Sequence, residues 1–305
     1  MNYTDYQINI LGKLETLIEE TGSQNKAAQL IGISAAAVSG LRKGEYGGNV
    51  DAVFKKLANY FGVKEEAELT YTEVGYANTY ISSEIYDIIR TCHVKGGLAI
   101  ACGDAGIGKT KAVRKYASDY STNTIVITMN PCLTGVKSLL CILADKLGVD
   151  RSHSISDLWS AIVSKLTDGM IIIFDEAQHM TVKDIEILRS FSDHFGDMGQ
   201  TLGVAFVGNP ETAYKIKVEQ AKFAQIANRA KQTKVYATSE IKREDIEKLF
   251  PILEDRDKEI DLLWRIAKTH QGIRGAVNLF SNAYDNENYT YAGLKAMAEF
   301  MNISY

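Results

Sequence analysis

Residues 103–110 carry the side chains best suited to chemistry in this chain. They read GDAGIGKT, the G-x-x-x-x-G-K-T pattern of a phosphate-binding loop. The apolar residues 97–102 predict a buried strand before the loop, and residues 111–120 predict a helix after it. Glycines let successive backbone N–H groups face one anion, and the start of the helix adds the positive end of its dipole. The sequence therefore predicts a nucleotide-binding site.

Two carboxylates at the end of a second apolar run complete the predicted chemistry. Asp175 and Glu176 follow residues 170–174. Asp175 and the Thr110 hydroxyl would hold a Mg²⁺ ion, and Glu176 would orient and deprotonate the attacking water. With Lys109 on the β- and γ-phosphates, the set predicts ATP hydrolysis with ATP and Mg²⁺ as cofactors. The residues of this segment predicted to hold ATP are Gly103, Asp104, Ala105, Gly106, Ile107, Gly108, Lys109, Thr110 and Lys111.

Alternating strand and helix patterns place these motifs in an α/β fold with a parallel sheet. The predicted strands are 98–102, 124–128, 170–174 and 203–207, and the predicted helices among them are 81–93, 109–120, 135–147, 156–166, 182–194 and 211–220. From residue 239 onward the pattern is helical only, with predicted helices at 243–249, 258–269, 273–284 and 291–301.

Residues 1–65 predict a separate all-α domain of short helices. A helix over 25–31, a turn at Gly32 and a second helix capped by Ser34 are typical of a helix-turn-helix, and the stretch resembles the lambda-repressor-like DNA-binding domains. Ser34, Arg42 and Lys43 are its candidate DNA contacts. The candidate reading helix is rich in alanine, so we expect weak sequence preference. A helical packing module without DNA contact is the alternative. Residues 66–80 predict a linker, or an arm laid on the next domain.

These patterns predict an α/β core over 81–238 and a small helical lid over 239–305. AAA+ P-loop ATPases have this layout, and the motifs of this chain resemble theirs. That resemblance implies three further site residues. Asn209, after the strand 203–207, matches the sensor that contacts the γ-phosphate, although it could instead cap the next helix. Arg229 matches the arginine finger offered to a neighbouring subunit, with Lys231 and Lys234 as rivals. Arg274, in the G-x-R of residues 272–274, matches the lid arginine that contacts the phosphates of ATP.

The order of helix-turn-helix, linker, AAA+ core and short lid resembles the Mu B family of transposition ATPases. The resemblance runs through GDAGIGKT, IIIFDEAQH (171–179), VGN (207–209), FAQIANRAK (223–231) and GIRGAVN (272–278). It implies ATP-dependent binding to double-stranded DNA with weak sequence preference, assembly of copies into a filament or ring, and activation of a transposase. The loop 129–138 would face the DNA, which makes Thr134 and Lys137 the first candidate contacts and Arg151, Lys183 and Arg189 the next.

Composition limits the alternatives. The chain has 305 residues, 46% of them apolar, and a formal net charge of −4, so it is no polycation and DNA binding would need a local basic surface. Without a secretory signal pattern or an apolar run of about 20 residues, we expect a cytoplasmic protein that does not act at a membrane. Insertion-sequence helper ATPases of the IstB kind share the core. Two other hypotheses are an ExeA-like secretion motor and a nucleotide-switched helix-turn-helix regulator.

Overall fold

The computed structural model describes residues 3–71, 75–133, 135–151, 154–218 and 230–305. The chain divides into two compact units, Met1–Tyr71 and Thr72–Tyr305. Within the described residues, no helix combines the length and the apolar character that crossing a bilayer requires.

The N-terminal unit packs four helices around an apolar core. They are α1 (Asp5–Thr21), α2 (Gln24–Ile31), α3 (Ala35–Lys43) and α4 (Val50–Leu69). Gly32 ends α2 in the left-handed region at φ 74°, and the Ser34 hydroxyl caps α3 by accepting from the Ala37 N–H at 3.1 Å. The fully buried Leu14, Leu41 and Leu57 bring α1, α3 and α4 together. The two short helices and their tight turn are therefore present as predicted.

Helix α4 is longer than the sequence pattern indicated. The sequence pattern predicts a helix over 49–61, whereas α4 continues to Leu69 and takes in four residues of the stretch predicted as a linker. The pattern predicts no helix there because residues 62–69 carry no apolar stripe in the sequence. Residues 62–69 contain mostly good helix formers, which is sufficient to extend an existing helix.

The second unit begins with α5 (Tyr80–Lys95) and is built on a five-stranded, wholly parallel sheet in the order β2-β3-β4-β1-β5. This confirms the predicted AAA+ P-loop fold. Its elements are β1 (Gly97–Gly103), α6 (Lys109–Asp119), β2 (Thr124–Thr128), α7 (Val136–Lys146), α8 (Ile155–Val163), β3 (Met170–Asp175), α9 (Val182–Asp197), β4 (Leu202–Gly208), α10 (Pro210–Val218) and β5 (Ala230–Tyr236). The lid follows as α11 (Arg243–Leu249), α12 (Asp257–Ala267), α13 (Gly272–Asp285) and α14 (Tyr291–Phe300).

Strand β5 was not expected from the sequence. It pairs with β1 alone, as an edge strand, and its residues AKQTKVY are mostly polar. Half-exposed edge strands carry charged residues and lack the continuous apolar run that marks β1, β3 and β4. From the sequence, this stretch was notable only for the positive charges of Lys231 and Lys234.

The last residues of the predicted linker are held against the lid. The Tyr80 N–H donates to Asp245 Oδ1 at 2.7 Å, and Lys248 Nζ donates to the Asn78 carbonyl at 2.9 Å. The Lys242 ammonium also lies 3.7 Å from the centre of the Tyr80 ring. Residues 78–80 therefore behave as an arm laid on the second unit, which was the other interpretation of this stretch.

Candidate nucleotide-binding site

The glycine-rich loop joins the end of β1 to the start of α6 in the conformation that its sequence requires. Gly106 and Gly108 have φ angles of 75° and 99°, which L side chains rarely adopt. At Gly103, a Cβ atom would lie 2.5 Å from Ile107 Cδ1 and 2.7 Å from the Tyr236 carbonyl oxygen. The Ile107 side chain is fully buried and anchors the loop from within.

Asp104 fastens the loop to the end of β5. Its N–H donates to the Tyr236 carbonyl at 3.1 Å, and its Oδ2 accepts from the Thr238 N–H at 2.8 Å. These bonds give Asp104 the role of holding the loop, rather than the ATP contact that the motif predicted. The backbone N–H groups available to phosphate are then those further along the loop.

Lys109 lies folded onto the loop that precedes it. Its Nζ donates to the carbonyls of Gly103 at 2.9 Å and Asp104 at 2.7 Å. Burial lowers the pKa of Lys109, and the nearby carboxylates of Glu176 and Asp175 oppose that shift. An ammonium group that is partly desolvated and bonded only to neutral carbonyls is well placed to exchange them for phosphate oxygens.

Thr110 and Asp175 bring two hard oxygen donors together. The Thr110 hydroxyl donates to Asp175 Oδ2 at 2.8 Å, and the Asp175 side chain is buried at the end of β3. Burial raises the pKa of Asp175, while the bonds from Thr110 and from the Glu176 N–H oppose that rise. A desolvated carboxylate beside a hydroxyl fits Mg²⁺, because hard cations prefer oxygen ligands and a cation offsets the cost of burying the charge.

Glu176 stands next to the predicted metal ligand in an unusual backbone conformation. Its φ of 56° lies in the left-handed region, which is costly for a residue with a Cβ. Its carboxylate Oε2 accepts a hydrogen bond from Gln178 Nε2. The Gln178 amide oxygen in turn accepts from the Asn209 N–H at 3.2 Å. The ends of β3 and β4 are thereby linked through one side chain.

Asn209 presents an unsatisfied oxygen to the site. Among the described residues, Asn209 Oδ1 is a buried polar atom without a hydrogen-bond partner. A helix cap would use this oxygen to accept from an N–H of α10, so the capping alternative is not what the structure shows. A buried acceptor left open beside the phosphate loop suits a ligand or its water, which favours the predicted sensor role.

The lid lies directly on the glycine-rich loop through the start of α13. The Arg274 N–H donates to the Gly106 carbonyl at 3.2 Å. Gly272 has a φ of 65°, and a Cβ there would lie 2.7 Å from the Ala105 carbonyl oxygen. The G-x-R pattern is thus explained by close approach at its glycine, and Arg274 borders the same cavity as Lys109 and Thr110.

One cavity of about 610 Å³ unites these groups. The predicted site residues on its wall are Ala105, Gly106, Gly108, Lys109, Thr110, Lys111, Asp175, Glu176, Asn209 and Arg274. The sequence did not single out its remaining lining residues, which are Gly75, Ala77, Thr79, Ser82, Arg114, Thr128, Gln178, Leu249, Ile273 and Val277. Of these, Gln178 had a sequence signal, since it stands two residues after Glu176, the predicted base, whereas Gly75, Ala77, Thr79 and Ser82 had none.

The predicted DNA contacts differ in how available they are. Lys137 and Lys183 are exposed in the first turns of α7 and α9, which start at the end of the sheet that holds the cavity. Three of the other candidate cations are engaged within the chain: Arg42 bonds Glu15 at 2.5 Å and Gln24 at 3.0 Å, Arg151 pairs with Asp145, and Arg189 pairs with Asp193 at 3.3 Å.

Arg189 lines a different cavity from the nucleotide site. That second cavity, of about 380 Å³, is bordered by Gly97, Leu98 and Leu202 at the opposite ends of β1 and β4. Of the other candidates in the N-terminal unit, Lys43 is exposed and Ser34 uses its hydroxyl as a cap.

Two predicted residues, Thr134 and Arg229, lie outside the described residues, as does the side chain of Lys231. The remaining rival for the arginine finger, Lys234, forms an ion pair with Glu84 and lies 4.9 Å from the centre of the Tyr236 ring. Lys234 is therefore already paired within the chain, and the assignment of the arginine finger to Arg229 stays a prediction.

Comparison with known proteins agrees with the fold and the motifs. Residues 92–216 match the AAA domain family. The chain is 25% identical over 276 residues to the Mu-like prophage FluMu DNA transposition protein B of Haemophilus influenzae, covering 88% of this chain and 93% of that protein. It is 27% identical over 285 residues to the ATP-dependent target DNA activator B of Escherichia phage Mu, covering 90% and 86%.

A solved structure of similar fold is the Aeropyrum pernix ORC2 protein in its ADP form, with a TM-score of 0.50 and 14% sequence identity. The superposition covers 72% of this chain and 66% of that structure, and it bears on the fold alone. Residues 92–216 are therefore similar to AAA domains, and the sequence resembles the Mu B transposition proteins over most of its length.

Proposed function

We propose that this chain is an ATPase that binds double-stranded DNA in its ATP-bound state and prepares that DNA for a transposase. The observation that carries the ATPase part is the assembly of the loop lysine, the two carboxylates, the open amide oxygen and the lid arginine around one cavity. Groups of these types at these positions are those that phosphoryl transfer requires.

The chain's own groups supply the steps of hydrolysis. Loop N–H groups, Lys109 and Arg274 hold the phosphates. Thr110 and Asp175 would hold Mg²⁺, which supplies positive charge beside the phosphates when it is bound. Glu176 takes a proton from the water as the water oxygen forms a bond to the γ-phosphorus. The bond from the γ-phosphorus to the bridging oxygen breaks with its electron pair on that oxygen, and ADP and phosphate leave.

The DNA part of the proposal rests on the relatives. Activator B of phage Mu is, by its name, an ATP-dependent target DNA activator, and the match with it covers 90% of this chain. The unmatched tenth is shorter than the N-terminal unit, so the likeness extends into that unit as well as the core. Exposed Lys137 and Lys183 are the phosphate contacts we propose, and contacts to phosphate carry little sequence information.

A few cations per subunit would bind DNA tightly only when many subunits assemble on it. A single subunit that neutralises a few phosphates binds DNA weakly, whereas a filament of many subunits adds those contacts along the duplex. We propose Arg229 as the finger that completes the ATP site of the neighbouring subunit, so that ATP favours assembly and hydrolysis releases it. Such a protein works in the cytoplasm, where target DNA and the transposase are present.

Anisotropy of a labelled random-sequence duplex tests the proposal, together with ATP turnover measured with and without the duplex. We expect tight, salt-sensitive binding with ATP or a slowly hydrolysed analogue, weak binding with ADP, and turnover that needs Lys109. Lys109→Ala should abolish both ATP binding and the nucleotide dependence of DNA binding. ATP turnover without DNA binding under any nucleotide would refute the DNA part and favour a protein-directed motor.

A further inference from the structure

The side chain of Gln178 bonds both the carboxylate of Glu176, the proposed base, and the backbone of Asn209, the residue that follows β4. It stands in the short 3₁₀ turn Ala177–His179 that follows β3. Its Nε2 donates to Glu176 Oε2, and its Oε1 accepts from the Asn209 N–H at 3.2 Å. This double contact lies on the wall of the nucleotide cavity.

The orientation of the Gln178 amide is dictated by its two partners. The Asn209 N–H can only donate, so it requires the amide oxygen, and the amide NH₂ group is thereby turned toward Glu176. The reverse orientation would set an NH₂ group against an N–H and an amide oxygen against a carboxylate. The donor that faces Glu176 is therefore fixed by the backbone of β4.

The fold makes room for this arrangement at Gly208. A Cβ atom on Gly208 would lie 2.9 Å from Gln178 Oε1 and 2.4 Å from Thr212 Oγ1. Any side chain at 208 would displace the Gln178 amide or the start of α10. The close approach of the Gln178 amide to the backbone therefore explains why the last residue of β4 is a glycine.

We propose that Gln178 is a positioning residue for ATP hydrolysis, which orients the Glu176 carboxylate and ties its position to Asn209. One carboxylate oxygen is held by the Gln178 amide, and the other, Oε1, takes the proton from water. A base that is itself oriented by a third group is a recurring feature of catalytic sites. Because Asn209 borders the same cavity, a nucleotide that contacts Asn209 would also act on the amide that holds Glu176.

This inference rests on the proposed ATPase function and assigns one more residue to it. The test is a mutant cycle in the full-length chain, measuring kcat and KM for ATP and the affinity for ADP. The variants are Gln178→Met, which keeps length and volume but removes both polar atoms, Glu176→Gln, and the two combined. Gln200→Met is the matched control, because Gln200 is an exposed glutamine at the far end of the sheet.

We expect Gln178→Met to lower kcat about 10- to 100-fold, as misplacement of a catalytic group does, with KM and ADP affinity within about twofold of wild type. In the Glu176→Gln background the same change should cost nothing further, because Gln178 acts through Glu176. Gln200→Met should behave as wild type.

Three results would overturn the assignment. A Gln178→Met protein with wild-type kcat would show that the amide does not position the base. Loss of ADP affinity together with kcat, or a loss that multiplies with that of Glu176→Gln, would show a structural role instead. A wild-type chain that binds ATP and DNA but turns over no ATP would refute the ATPase proposal itself, and this inference with it.

Discussion

A buried carboxylate and a partly buried ammonium group, those of Asp175 and Lys109, meet at the nucleotide site. Burial raises the pKa of Asp175 and lowers that of Lys109, so both charged forms cost free energy in the folded chain. Glu176 adds a left-handed backbone conformation that costs about 1–2 kcal/mol. Such unfavourable terms are common at ligand-binding sites, where the ligand removes them. Bound phosphates would pair with Lys109, and a bound cation would pair with Asp175.

Asp175→Asn should therefore stabilise the nucleotide-free chain while it abolishes ATP turnover. A carboxyl whose folded pKa is raised contributes stability at pH below its unfolded pKa, and that contribution is lost as pH rises through the folded pKa. At pH above both pKa values the charge of Asp175 is a net cost, and asparagine keeps an acceptor for the Thr110 hydroxyl. Thermal unfolding without nucleotide should show a rise on the order of 2 °C.

Asp168→Asn is the opposite control for that measurement. Hydrogen bonds from the Thr201 N–H at 2.7 Å and its hydroxyl at 2.9 Å lower the pKa of Asp168, so its charge contributes stability that is lost as pH falls through its folded pKa. Removal of that charge should leave the melting temperature unchanged or lower at pH 7.5. Equal stabilisation by both substitutions would contradict our account of Asp175.

Glu176→Gln should separate binding from chemistry. The substitution keeps the size of the side chain and an acceptor for Gln178 but removes the base. We expect turnover to fall by about 10²- to 10⁴-fold, the usual contribution of a general base, with ATP affinity retained. Single-turnover hydrolysis and equilibrium nucleotide binding measure the two quantities, and unchanged turnover would remove Glu176 from the mechanism.

At the scale of elements, the site exists because β1, β3 and β4 end at one edge of a parallel sheet. The sequence predicted this edge well: β2 was placed correctly, and β1, β3 and β4 were placed to within one residue at each end. Each of these strands carries an apolar run, and two of them end in motifs with fixed spacing. The loop lysine, the carboxylate pair, Asn209 and Arg274 could accordingly be placed at one site in advance.

The features that the sequence did not predict share a physical cause. Strand β5 is an edge strand of mostly polar residues, and the sequence of the last turns of α4 has no apolar stripe, so neither has the pattern on which sequence prediction depends. The arm residues near the cavity are positioned by long-range bonds such as Tyr80 to Asp245, which no local pattern encodes. Gln178 could be seen in the motif, but its two partners are known only once β3 and β4 are adjacent.

The contact between the lid and the glycine-rich loop predicts how a substitution at Gly272 affects nucleotide binding. Gly272→Ala would place a methyl group 2.7 Å from the Ala105 carbonyl, so the start of α13 must move away from the loop. We expect ATP and ADP affinity to fall about tenfold or more, by calorimetry or fluorescent-nucleotide titration. Gly199→Ala is the matched control, because Gly199 has a φ of 71° and nothing within 4 Å of the added Cβ.

Both substitutions force alanine into a positive φ, and only the one at Gly272 meets the loop. Comparable losses of nucleotide affinity in the two variants would show that backbone strain alone causes the defect. Similar melting temperatures for the two variants would confirm that the difference in affinity is local.

At the scale of the whole molecule, charge sets how DNA can be bound. A chain of net charge −4 has no general attraction for a polyanion, and Arg42, Arg151 and Arg189 are already engaged with acidic side chains. Under the proposed function, DNA affinity would come from a few exposed cations repeated across many subunits. In that way an acidic chain would cover DNA when ATP brings its copies together.

Lys137→Ala tests which cations contact the phosphates. We expect weaker DNA binding on all sequences alike, and a slope of log affinity against log salt that is smaller by about 1 per subunit contact. Lys165→Ala removes an exposed lysine that follows α8, at the far end of the sheet from the nucleotide cavity, and it should leave the slope unchanged. ATP turnover without DNA should be unaffected in both variants. An unchanged slope in Lys137→Ala would exclude the loop after β2 from the interface.

Electron microscopy of the full-length chain with a long random-sequence duplex tests the central claim most directly. The Glu176→Gln chain with ATP, the wild-type chain with ADP and the wild-type chain without nucleotide would be compared on the same DNA. We predict continuous protein coverage of the duplex with ATP and bare DNA in the other two conditions. Bare DNA in all three conditions, from protein shown to bind ATP, would contradict the account.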